Sequence, residues 1–195
     1  MSSKMSEGRW RADRPDRAPT LADVDRVVEM LNARSRKLHG TSQSTRARVV
    51  SWWEKPGFAL ETDARLVLDW DGAVAGLAFI LADGEPYTHI GCSAAVHPRY
   101  EDDALLWDRV TNWSLHRATE LVPRAAPGLR VAATSDASSD DGAHCAALER
   151  AGFAPVRVES PMRIDLGSPV PITPWPDGIS VRTANLGADV DDIVS

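Results

Sequence analysis

Few side chains in this sequence stand where chemistry could be built from them. His89 lies in an apolar run that reads as a strand, where its imidazole could act as a general base. His97 closes the same run just before Pro98, a position better suited to anchoring a loop. Cys92, between them, has no basic neighbour in sequence and reads as a small core residue. The stretch Val96-His97-Pro98-Arg99-Tyr100 runs from that strand directly into a helix start. The unpaired N–H groups of a helix start can hold a pyrophosphate. Three carboxylates, Glu101, Asp102 and Asp103, stand at the same place. A helix terminus favours an anion by ~0.3–1 kcal/mol. Each like charge at contact range opposes it by ~1 kcal/mol in water and ~4 kcal/mol at a partly buried site. Repulsion is the larger effect, so these acids are expected to complement the dipole of their own helix. No Ser-His-Asp order, H-E-x-x-H, P-loop or dinucleotide fingerprint is present. Cys92 and Cys145 lie far apart without a C-x-x-C, so neither a metal site nor a disulfide is expected.

The elements that must position these residues follow from periodicity. Residues 1–19 are polar, with Pro15 and Pro19 blocking regular structure, and are expected to be a disordered lead-in. Thr20 and Asp23 form a box-like cap for a helix carrying Leu21, Val24, Val28 and Leu31, with Gly40 as its stop. A second helix spans about 45–54 and ends before Pro56-Gly57. Strands over 64–70 and 73–81 flank Asp71-Gly72, a two-residue hairpin signal, and a third strand covers 86–96. A helix over 102–121 presents Leu106, Val110 and Trp113, and a short strand covers 129–134. A helix over 141–151 then stops at Gly152. Residues 153–159 and 162–166 read as a closing strand pair, with Pro155 and Pro161 marking bends or an edge. Trp52, Trp53, Trp70 and Trp113 read as core or interface packing. The order is that of an α/β domain with a mixed sheet.

Residues 167–178 hold four prolines (Pro169, Pro171, Pro174 and Pro176) and form a stiff linker. Beyond it, Ile179-Ser180-Val181-Arg182 alternates like a new strand. Residues 188–194 then repeat 22–28 at five of seven positions. Acidic helix starts are common, but this echo sits where a second domain should open and is read as an internal repeat.

Composition limits the function classes. The 195 residues are 43% apolar and 26% charged, enough for one ordinary core plus extra segments. A net charge of −6 with acids and arginines interspersed argues against a general nucleic-acid surface. No run approaches the ~18 apolar residues of a membrane span, and the N-terminus lacks the apolar stretch of a secretory signal. Two unpaired cysteines make the reducing cytoplasm the expected location.

Together, the element order, the Val96-His97-Pro98-Arg99-Tyr100 turn and the later Leu148-Glu149-Arg150-Ala151-Gly152-Phe153 resemble the GNAT superfamily of N-acetyltransferases over residues 20–166. With the linker and second start, the layout is similar to tandem GNAT proteins. The resemblance implies an α/β fold with a GNAT-like mixed central sheet and helices on both faces. It implies an acyl-CoA-dependent N-acyltransferase using acetyl-CoA, with a small-molecule amine as acceptor. Ala94, Val96, His97 and Ala104 fall on the family's cofactor positions, and His89 is the one candidate base. The family's pattern here is V-x-P-x-x-R/Q-G-x-G-x-G/A, and this sequence departs from it. Its R/Q falls on Glu101, its glycines on Asp102 and Ala104, and its last small residue on Leu106. The late-helix tyrosine that often supplies a proton matches Leu148, and the preceding asparagine matches Asp141.

Three readings stay open at this level: an acetyltransferase with an unusual loop, a degenerate lobe that supports or caps a catalytic C-terminal GNAT lobe, and a metabolite-binding module. The second is preferred. The expected layout is a lead-in (1–19), a GNAT-like domain (20–166), a linker (167–178) and the truncated start of a second GNAT-like domain (179–195).

Overall fold

The computed structural model describes residues 16–82 and 84–160, together with 162, 164–165, 167, 171–185, 187 and 189. Residues 1–15 of the expected lead-in lie outside the described residues. The chain divides into two compact units, to Val156 and from Arg157.

In the first unit, Arg17 pairs antiparallel with Leu66, so the ordered domain already includes residues expected in the lead-in. A 3-10 turn, Leu21–Asp23, leads into α1, Val24–His39, which ends at Gly40 with φ 74°. That left-handed angle suits glycine. Then follow α2 (Arg46–Trp53), the single turn α3 (Leu60–Asp63) and the strands β1 (Ala64–Leu68), β2 (Val74–Ala82) and β3 (His89–Val96). Next come α4 (Ala104–Leu121), β4 (Ala132–Thr134) and α5 (Gly142–Arg150). The sheet order is β1-β2-β3-β4, antiparallel except for the parallel β3–β4 pair. It is the expected mixed sheet.

Its two faces carry separate cores. From Gly76 onward the even positions of β2, with Ile90, Cys92, Ala94 and Val96 of β3, face Leu106, Val110, Ala118 and Leu121 of α4. Leu66, Leu77 and Phe79 face Val24, Val27 and Met30 of α1 and Val49 and Trp53 of α2. Period-two strands between two helical layers produce this division.

Several boundaries differ from the sequence reading. The first hairpin is not a two-residue turn. Asp69 N donates to Ala73 O at 2.9 Å, and the three residues between end in Gly72 at φ 77°. The register shifts at Val67/Leu68, as expected for a three-residue loop closed by a left-handed glycine. The buried Asp69 carboxylate fixes this loop by accepting from the N–H groups of Asp71 and Ala73 at 3.0 and 2.9 Å. The third strand begins at His89 instead of Pro86, because Pro86 has no N–H for the ladder and Tyr87 closes a turn on Gly84.

The closing strand pair is absent over 153–160, where Val156 and Val158 are 91% and 89% exposed. Alternation alone cannot make a strand without a neighbour for its backbone groups. Residues 163 and 166 of that pair lie outside the described residues. In the second unit, Ile179 and Val181 are exposed and form no strand, for the same reason. Most of the repeat at 188–194 also lies outside the described residues, but Asp189 does not.

Candidate functional site

The site begins where β3 hands over to α4. Val96, fully buried, pairs with Gly76, and His97 N donates to Ala75 O at 2.8 Å, so the strand stays in register to its last residue. Pro98–Tyr100 form a 3-10 turn, capped by the His97 ring as Nδ1 accepts from Arg99 N at 3.0 Å. Burial and the Arg99 charge lower the His97 pKa, which suits an imidazole held neutral as an acceptor. Tyr100 is buried and donates its hydroxyl to Asp69 Oδ2 at 3.0 Å, tying the turn to the first hairpin. His97 is therefore a loop anchor.

The three acids do not form a free negative cluster. Glu101 pairs with Lys37 of α1. Asp102 is exposed. Asp103 folds inward and caps α4, Oδ1 accepting from Leu105 N and Leu106 N at 3.1 Å each. These are the amides that a bound phosphate would need. The expectation that the acids complement their helix holds for Asp103. Repulsion by three unpaired carboxylates gives way to another obstacle, since two of the donors, Leu105 N and Leu106 N, are already taken.

Behind the loop a stack of side chains fills the space between α1, α4 and α5. Trp107, 1% exposed, lies against the His144 ring at 4.9 Å and 18°. The Arg34 guanidinium sits over the Trp107 ring at 4.8 Å and pairs with the buried Asp141. Trp107 Nε1 donates to Glu101 O at 2.9 Å, and Asp141 accepts from His144 N at 3.1 Å as the cap of α5. Burial, with Arg34 nearby, pushes the His144 pKa down to about 4. Burial also lowers the Arg34 pKa, although Asp141 opposes this.

The structure brings Ala94, Val96, His97 and Ala104 to one end of the sheet. Ala94 is half-buried in the core beneath α4, and Ala104 opens α4 on the exposed side. His89 is not with them. It begins β3, seven residues or roughly 23 Å from Val96. Its exposed Nε2 lies 2.8 Å from Thr134 Oγ1, so it is no base for this site. Cys92 is buried, contacts Ser114 O, and burial pushes its thiol up to about 11, which removes it as a nucleophile. Sequence reading missed Arg34, Trp107 and His144. Trp107 could have been found, because it shares the i, i+3, i+4 stripe of Leu106, Val110 and Thr111 on α4.

The parallel pairing of β3 with β4 ends at Gly91/Thr134, five residues before the last residue of β3. A GCN5-related N-acetyltransferase from Sphaerobacter thermophilus superimposes with a TM-score of 0.78 at 24% identity. The fold is that of the GNAT acetyltransferases. The match covers 93% of this chain and 56% of that one, so this chain spans little more than half its length. A putative acetyltransferase from Salmonella typhimurium, solved with its cofactor acetyl-CoA, gives a TM-score of 0.55 at 15% identity, covering 72% of this chain and 79% of that one. A GNAT-family acetyltransferase from Streptococcus pneumoniae gives 0.51 at 16%, covering 72% and 83%. No family model and no curated protein matches the sequence. On this GNAT scaffold the residues at the β3–α4 junction do not fit a pyrophosphate. They offer no glycine between Val96 and Leu106, and the Leu105 and Leu106 amides are capped from within. No described helix is long and apolar enough to cross a membrane.

Proposed function

We propose that this chain supplies the supporting lobe of a tandem acyl-CoA-dependent N-acyltransferase, and that acetyl-CoA and a small amine meet on a partner lobe that follows it. The observation that carries the reading is the Asp103 carboxylate on the Leu105 and Leu106 amides, backed by the Arg34–Trp107–His144 stack. A scaffold with the fold of an acetyltransferase and an internally satisfied phosphate loop is suited to holding or capping another lobe. The two free cysteines agree with a cytoplasmic setting.

A second unit is supported by more than the sequence echo. Asp23 accepts both Nη atoms of Arg17, at 2.6 and 2.8 Å, together with Thr20 N at 2.8 Å. Asp189 accepts both Nη atoms of Arg182, at 2.6 and 2.8 Å, together with Asn185 N at 2.7 Å. The same arginine fork and the same backbone N–H on an aspartate recur, with Gly187 inserted between. In the first unit that arginine belongs to the residue that pairs with β1, and Arg182 stands ready for the same use in a second.

Isothermal titration of acetyl-CoA into the chain is expected to show no saturable binding. Micromolar affinity would overturn the assignment of a supporting lobe and restore the enzymatic reading.

A further inference from the structure

At the opposite end of α4 from the capped loop, a cleft of about 150 Å³ opens among the α2–α3 connection, the end of β2 and the last turns of α4. Its floor is apolar, with Phe58, Leu81 and the buried Ile80 and Leu121. Its polar lining carries three cations, Lys55, Arg117 and Arg124, and one carboxylate, Asp63. Arg117 is already committed. Its Nε and Nη2 donate to Asp63 Oδ1 at 3.0 and 2.9 Å, and its Nη1 to Glu120 Oε2 at 2.8 Å. Among the described residues, no carboxylate lies in ion-pair range of Lys55 or Arg124, although the chain as a whole is acidic. Arg124 leans over the Tyr87 ring at 5.9 Å, which steers it towards the mouth.

We propose that this cleft binds a small organic anion. Lys55 and Arg124 would take its carboxylate or phosphate, while Phe58 and Leu121 would lie beneath its apolar part. The volume falls below the ~300–1,000 Å³ of sites for drug-sized ligands, which restricts the ligand to a small metabolite. Arg117, locked by two carboxylates, shapes the wall without being free to bind. The proposal does not depend on the lobe's relation to acetyl-CoA, since the cleft and the β3–α4 junction lie at opposite ends of α4.

The test is a ¹H–¹⁵N titration of the full chain with phenyl phosphate, phenylacetate and uncharged 2-phenylethanol. At least one anion is expected to shift the amides of Gly57, Ala82 and Tyr87 saturably, and the alcohol is not. Which anion does so separates a phosphate from a carboxylate ligand. Replacing both cations, Lys55→Glu with Arg124→Glu, is expected to weaken binding roughly tenfold or more, with the thermal midpoint unchanged. If charge reversal unfolds the chain, Lys55→Ala and Arg124→Ala singly provide the same comparison. The proposal is overturned if no anion shifts those amides, if the alcohol shifts them equally, or if the replacements leave affinity intact.

Discussion

His144 shows how one buried residue can report on the site. Its ring is 5% exposed against Trp107, its Nε2 has no partner among the described residues, and its pKa is pushed down to about 4. An unfolded histidine titrates near ~6.5. Between those values the unfolded chain binds a proton that the folded chain refuses, so stability rises with pH through this window. The contribution is complete above pH ~6.5 and is lost as pH falls towards 4, by up to roughly 3 kcal/mol. Urea midpoints measured from pH 7 to pH 4.5 are expected to fall for the wild type. A His144→Phe variant keeps an aromatic ring on Trp107 and removes the titration, so its profile should be much flatter. An equally steep fall in the variant would show that the slope arises elsewhere.

Among the elements, the fit of α4 on the sheet depends on a missing side chain. A Cβ on Gly76 would meet Val110 Cγ1 at 2.9 Å and Leu106 Cδ1 at 3.3 Å. Val110 is β-branched and buried, so it has little room to turn away. Gly76→Ala is therefore expected to destabilise by about 1–2 kcal/mol, overpacking exceeding the gain in strand propensity. Trimming the neighbour should relieve the crowding. The double variant Gly76→Ala, Val110→Ala is expected to be more stable than the two separate losses predict, as read by urea denaturation in a double-mutant cycle. Strict additivity would mean that the helix moves away as a body. The first hairpin depends on a similar detail, because the Asp69 carboxylate both closes the loop and holds Tyr100.

At the scale of the molecule, the first unit holds every helix and strand among the described residues, and the residues after Val156 are mostly exposed. Exposed Val156 and Val158 bury little apolar area, so they should contribute little to stability. A chain ending after Val156 is expected to unfold at the same urea midpoint as the full chain, to within about 0.5 kcal/mol. A larger loss would place residues beyond 156 in the cooperative core. The arginine–aspartate fork of Arg17 and Asp23 recurs among those residues, at Arg182 and Asp189.

Much of this was legible in order of residues alone. Period-two and period-3.6 patterns located four strands and four of the five helices, Gly40 and Gly152 marked helix ends, and the stretch from Val96 to Leu106 held no glycine. These features are local, set by backbone geometry within a turn or a strand. What the sequence could not decide was which partners each group would find. His89 opens β3 and His97 directly follows its last residue, so the two lie too far apart to act together. Glu101 finds Lys37, and Arg34 finds Asp141 across 107 positions. Residues 153–160 alternate like a strand and form none, because a strand needs a neighbour and alternation specifies only a face. Whether a polar side chain does chemistry or satisfies another depends on the groups packed against it, and only the tertiary structure fixes those.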